Sequence, residues 1–194
     1  MLIKNKLCKY IAGNQNMDDD EREILEYGMD ILLKKILFIV GAIIIAVLMK
    51  SIKEGLMFII LFSILRQNAG GVHMNSQIKC AVSSALIYIA SIILINLAIE
   101  FFAVYMVLFC SAFVGTIILL TIAPVDTPNK RINQMQKEKN SLKVKFILLG
   151  LYVILLFSFL IDFQPLCCVI VVVVVIETIL VTIGKMLFIS SNIC

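Results

Sequence analysis

The chain has 194 residues, 61% of them hydrophobic and 15% charged, with a mean hydropathy of +1.05. Water-soluble domains keep their apolar share near half, so a soluble globular protein is excluded. The formal charge of +4 is too small to mark a nucleic-acid partner, and none is expected. The sequence instead predicts an all-α, polytopic integral membrane protein. It forms one membrane domain over 1–194, with about six transmembrane or membrane-embedded helices and an N-terminal amphipathic helix.

In chain order, Ile3, Leu7, Tyr10 and Ile11 recur at helical spacing opposite Lys4, Lys6 and Lys9. This pattern predicts an interfacial helix over 1–16 lying on anionic headgroups. The start lacks the uninterrupted apolar stretch of a secretory signal, so the N-terminus is expected on the cytoplasmic side. Asp18-Asp19-Asp20-Glu21 opens a second helix, its carboxylates complementing the helix dipole. Two apolar runs, 36–49 and 56–65, are shorter than the ~20 residues of a full span. They predict a helical hairpin over 18–65 that returns the chain to its starting side, whether or not it crosses completely. A loop over 66–80, a helix pair over 81–123, a polar basic loop over 124–145 and a C-terminal helix pair over 146–194 complete the expected organisation.

Of the 17 Lys and Arg, all but Lys50 and Lys53 fall on one side of this arrangement. Such a bias is what the positive-inside rule requires of the cytoplasmic face. Both termini, the 66–80 loop and the 124–145 loop are therefore expected there.

The residues that can do chemistry cluster in the first of these loops. His73 is the sole histidine, and without a paired Cys motif it cannot found an ordinary zinc site, so no metal and no cofactor are expected. Six cysteines, Cys8, Cys80, Cys110, Cys167, Cys168 and Cys194, show no framework spacing and read as reduced thiols. Ser76 or Asn75 is a plausible N-cap for the following helix, which places Cys80 in its first turns, where amide dipoles favour a thiolate. Seven residues of continuous helix would separate His73 from Cys80 by about 10 Å. Contact therefore needs the Gly70-Gly71 turn to fold His73 back, and that turn also frees backbone amides to face an oxyanion. Asn75, Gln67, Asn68 and Asp126 are all candidates for orienting the imidazole.

Arg66-Gln67-Asn68-Ala69-Gly70-Gly71-Val72-His73, followed by Cys80, together with Ala123-Pro124-Val125-Asp126 after the fourth segment, resembles the signature of AgrB. This family is the accessory gene regulator membrane peptidase of Gram-positive quorum sensing. The resemblance spans nearly the whole chain in length, segment order and loop charge. It implies a membrane cysteine endopeptidase with Cys80 as nucleophile and His73 as base, acting on the propeptide AgrD at the cytoplasmic face to release an acidic tail and leave a cyclic thiolactone. It also implies a homodimer. Lys130, Arg131, Lys137 and Lys139 then gain a partner in the acidic substrate tail, with Arg66 as a bidentate carboxylate holder and Asp126 in the same substrate-binding set.

A small-peptide exporter would share the composition and the topology, but it leaves the loop motif without a use. Glu177 lies in the last apolar segment, where an unpaired carboxylate is costly. It is expected either to be protonated or to pair with a Thr hydroxyl such as that of Thr182 or with a cation from another helix.

Overall fold

The computed structural model describes residues 19–72, 77–125 and 133–191. The expected interfacial helix over 1–16 lies outside them. Six helices follow one another: α1 (Asp19–Leu48), α2 (Ile52–Ala69), α3 (Gln77–Glu100), α4 (Phe102–Ile122), α5 (Gln134–Leu160) and α6 (Gln164–Ser191). Five of them, all but α2, contain a stretch long and apolar enough to cross a bilayer. At 18 residues, α2 rises about 27 Å, close to the ~30 Å thickness of the hydrocarbon core. The protein is thus an all-α polytopic membrane protein.

The chain divides into two units at Ile44 and Ile45, within α1. In the first unit, α1 runs unbroken from the acidic cluster through Lys34 and Lys35 into the apolar run, and Leu37, Val40 and Ile44 are exposed. An outward apolar surface is the expected finish for a helix facing lipid tails.

The second unit is organised around α6, which packs against α2, α3, α4 and α5. Cys167 through Val174 are all buried, so this stretch of the helix is covered on every side, whereas Ile179, Ile183 and Met186 further along are exposed. Around it the other helices are sided. On α5, Val144, Leu148, Leu151 and Ser158 are buried, while Phe146, Leu149, Val153, Phe157 and Leu160 point outward. Both sets repeat at helical spacing. Small residues allow the closest approaches. A Cβ on Gly115 of α4 would lie 2.6 Å from Thr178 Oγ1 of α6, and Gly55 leaves room for the Tyr88 hydroxyl. Polar pairs link neighbours: Asn96 Nδ2 donates to Ser51 Oγ at 2.9 Å, and the Thr116 and Tyr152 hydroxyls lie 2.6 Å apart.

Two short connections share one device. Lys50 and Asp162 take φ of 55° and 57°, and the next amide reaches back across the helix end, Ser51 N to Ala46 O at 3.0 Å and Phe163 N to Ser158 O at 2.8 Å. These left-handed residues satisfy the last carbonyls of α1 and α5 and reverse the chain within three residues.

Two expected loops are partly helical: α2 runs on to Ala69 and α3 starts at Gln77, both within the 66–80 stretch. The polar stretch expected as a loop to Lys145 is helical from Gln134 onward, with the Asn133 side chain accepting from Gln134 N at 2.8 Å. Gln, Lys, Glu and Met are strong helix formers, and their polarity concealed the start of α5 from a hydropathy reading.

Candidate active site

Residues 66–72 form the best-defined part of the site. At the end of α2 the chain turns through Gly70 (φ +77°) and Gly71 (φ +129°), backbone conformations that residues with a Cβ rarely adopt. Sterics enforce the same choice. A Cβ on Gly70 would lie 2.7 Å from Val125 O, and one on Gly71 would collide with Arg66 Nη1.

Arg66 organises this turn from within. Its Nη1 donates to Gly70 O at 2.8 Å and its Nη2 to Val72 O at 2.7 Å, short charge-assisted bonds to the two carbonyls that flank Gly71. The same Nη1 lies 3.6 Å from Glu177 Oε1 on α6. The cation that a carboxylate at position 177 requires therefore comes from α2, while Thr182 Oγ1 donates instead to Thr178 O. A substrate carboxylate approaching Arg66 would compete with three oxygens already around it.

Two outside contacts fix the turn in place. Gly70 pairs with Val125 in an isolated parallel bridge, and Val125 N donates to Ala69 O at 3.1 Å. From the other side Gly184 of α6 packs against Gly71 and Val72, with its Cβ position 3.0 Å from Gly71 C and 3.1 Å from Val72 N. The two motifs picked out in the sequence, Arg66 to Val72 and Ala123 to Val125, are thereby brought together. The Ala123-Pro124 peptide bond is cis.

Cys80 is the fourth residue of α3 and is half-buried, with a free thiol. Among the other described cysteines, Cys110 is exposed and Cys167 and Cys168 are buried in α6, all of them free. His73, Asn75, Ser76, Asp126, Lys130 and Arg131 lie outside the described residues. Of the remaining candidates to orient the imidazole, Asn68 Nδ2 donates to Ile64 O of its own helix at 2.9 Å, and Gln67 is exposed. Among the described residues no group of three or more His, Cys, Asp or Glu side chains is placed to hold a metal ion.

Beside the turn lies a cleft of about 680 Å³ formed by the end of α4, the start of α5 and the end of α6. Pro124 and Val125 form part of its wall, and Lys137, Lys145 and Lys185 line it with Glu138 and Ser141. Lys137 was expected in a substrate-binding set; Lys139 is exposed and does not line the cleft. Lys185 and Gly184 escaped the sequence reading, because a lone basic residue and a lone glycine near a helix end carry no pattern.

The family model for Accessory gene regulator B matches residues 4–181. The chain belongs to the AgrB family. It is 30% identical over 156 residues to AgrB-like protein 2 of Clostridium perfringens strain 13 / Type A, covering 77% of this chain and 72% of the relative. It is also 28% identical over 159 residues to an AgrB-like protein of Clostridium perfringens strain SM101 / Type A, with the same coverage. No solved structure matches. AgrB proteins act in the processing step of agr quorum sensing, so membership brings with it a membrane setting and an AgrD-like propeptide partner.

Proposed function

We propose that this AgrB protein is a membrane cysteine endopeptidase that removes the acidic C-terminal tail of an AgrD-like propeptide and closes the remaining core into a thiolactone. One observation carries the reading. The Gly70-Gly71 turn is clamped by Arg66, Val125 and Gly184, and it leads directly into His73 and on to the helix start that bears Cys80. A turn held from three sides, with two glycines supplying conformations other residues avoid, is a means of aiming a short segment.

In this mechanism His73 takes the proton of the Cys80 thiol, and the sulfur attacks the carbonyl of the scissile peptide bond. The backbone amide of Gly71 stabilises the oxyanion; that of Gly70, expected to share this role, is already engaged in capping α2 by donating to Arg66 O at 3.1 Å. Collapse of the tetrahedral intermediate breaks the C–N bond, and the imidazolium gives its proton to the departing amine of the tail. A cysteine thiol of the substrate then attacks the thioester, loses its proton to His73 and releases Cys80. The acyl bond is kept within the product as long as water is excluded, which a bilayer surface favours.

Lys137, Lys145 and Lys185 in the cleft, with Lys130, Arg131 and Lys139 nearby in sequence, give the acidic tail a basic surface to follow. Asp126 sits between that surface and the turn in sequence. Both termini and the active site face the cytoplasm, following the distribution of Lys and Arg, and the family resemblance further implies a homodimer.

The test is reconstitution of the full chain in liposomes with the propeptide encoded beside its gene. Tail release and a product mass lower by one water than the linear core support the peptidase. Peptide flux into the lumen without cleavage would replace this reading with an exporter.

A further inference from the structure

Glu177 is fully buried, and among the described residues it is the sole buried charged side chain. It lies on α6, the helix against which α2, α3, α4 and α5 all pack. Neither carboxylate oxygen has a hydrogen-bond partner, and the 3.6 Å contact with Arg66 Nη1 is an ion pair of longer reach. Burying such a carboxylate costs free energy at its own position, so its use is to be sought in what it holds.

It holds Arg66. The Arg66 side chain is about one-fifth exposed. A long cationic side chain at a helix end ordinarily extends toward water, yet this one turns inward, and its two terminal nitrogens hold the carbonyls on either side of Gly71. Glu177 supplies the attraction that keeps the guanidinium in this inward position. Two turns further along α6, Gly184 meets the same turn by direct backbone packing. The central helix therefore fixes the loop twice, by charge at position 177 and by contact at position 184.

We propose that Glu177 is a positioning residue of the peptidase: acting through Arg66, it sets the Gly70–Val72 turn and so the direction in which His73 is presented to Cys80. The proposal rests on the reading of His73 and Cys80 as the catalytic pair. Glu177 itself touches neither substrate nor reacting atoms. Without its charge, Arg66 is free to extend toward the interface, both loop carbonyls lose their donor, and the turn relaxes. A displacement of about 1 Å at such a site costs about a hundredfold in rate.

The test needs no natural substrate. Full-length protein in phosphatidylglycerol-containing liposomes is treated with iodoacetamide, and alkylation of Cys80 is followed by mass spectrometry, with thermal unfolding in detergent as the check on folding. In wild type, Cys80 reacts at a His73-dependent rate, and H73A defines the rate without that help. E177Q and R66Q are expected to lower Cys80 alkylation to the H73A rate, E177D to recover part of the loss, and E177Q added to H73A to cause no further change. A disturbance of folding alone would add to the effect of H73A. A wild-type rate in E177Q, with H73A slowed, overturns the positioning role and leaves the catalytic pair standing. An unchanged rate in H73A overturns the pair and the positioning role together. If E177Q fails to insert, R66Q and G71A address the same contact, and a wild-type rate in both overturns the proposal.

Discussion

Gly184 of α6 abuts Gly71 so closely that a Cβ on it would stand 3.0 Å from the Gly71 carbonyl carbon and 3.1 Å from the Val72 nitrogen. Backbone faces backbone here, and neither partner has a flexible side chain to move aside. Gly184→Ala therefore has to push the turn away from α6. We expect a loss of stability of about 1–3 kcal/mol and a fall in turnover on the order of a hundredfold, the second measured by propeptide cleavage and the first by thermal unfolding in detergent. Wild-type turnover in Gly184→Ala would show that the position of the turn does not matter to the reaction.

The proposed catalytic pair of His73 and Cys80 has a sharper signature. Cys80→Ala should abolish tail release, and Cys80→Ser should come close to doing so, since a hydroxyl is a far weaker nucleophile than a thiol at neutral pH. His73→Ala should slow acyl-enzyme formation by about 10²–10⁴-fold, read as loss of the mass adduct between protein and substrate core. Replacing Cys110, Cys167 and Cys168 together should preserve cleavage, because two of these pack within α6 and one faces outward.

The lysine-lined cleft predicts a separation of docking from chemistry. Each exposed charge pair is worth about 0.2–1 kcal/mol, so neutralising Lys137, Lys145 and Lys185 should raise KM by about three- to a hundredfold with a much smaller effect on kcat. Added salt should imitate the substitutions, because the Debye length shrinks from about 10 Å at 0.1 M to about 3 Å at 1 M. Lys139→Gln, outside the cleft, should do less than any of the three. Correct insertion has to be verified first, since these charges also orient the chain.

Orientation can be read directly. A membrane-impermeant maleimide should leave Cys80 untouched in intact cells and modify it once the cytoplasmic face is opened. Labelling from outside would reverse the assignment of the active site to the cytoplasm.

Hydropathy alone was enough to outline α3 and α4 to within a few residues, because a span must be continuous and apolar and little else in a sequence looks like it. The first turns of α5 were hidden for the opposite reason: helix formers that are polar leave no trace in hydropathy, although Asn133 as a cap and the spacing of Lys137, Ser141 and Lys145 along one face are signals that could have found them. At the site, the Gly70-Gly71 turn and the place of Cys80 at a helix start were legible because their signals are local. That Glu177 needs a partner or a proton was legible too, but a cation was one of several options and the choice of Arg66 was not. That choice depends on which helices lie together around α6, and no short-range pattern encodes it. Gly184 is the extreme case, a residue whose importance is entirely that another backbone passes against it.

The Arg66–Glu177 contact joins residues separated by more than half of the chain, and the Gly70–Val125 bridge spans two complete helices. Membrane proteins are synthesised and inserted from the N-terminus, so Cys80 enters the bilayer well before either support exists. The bridge can form only after α4 is in place, and the ion pair and the Gly184 contact only after α6. On the proposed mechanism a nascent chain carries its nucleophile through most of biogenesis without the scaffold that aims it, and proteolytic competence switches on once α6 has docked. Truncation before α6 should accordingly yield a protein that inserts, exposes its thiol and processes nothing.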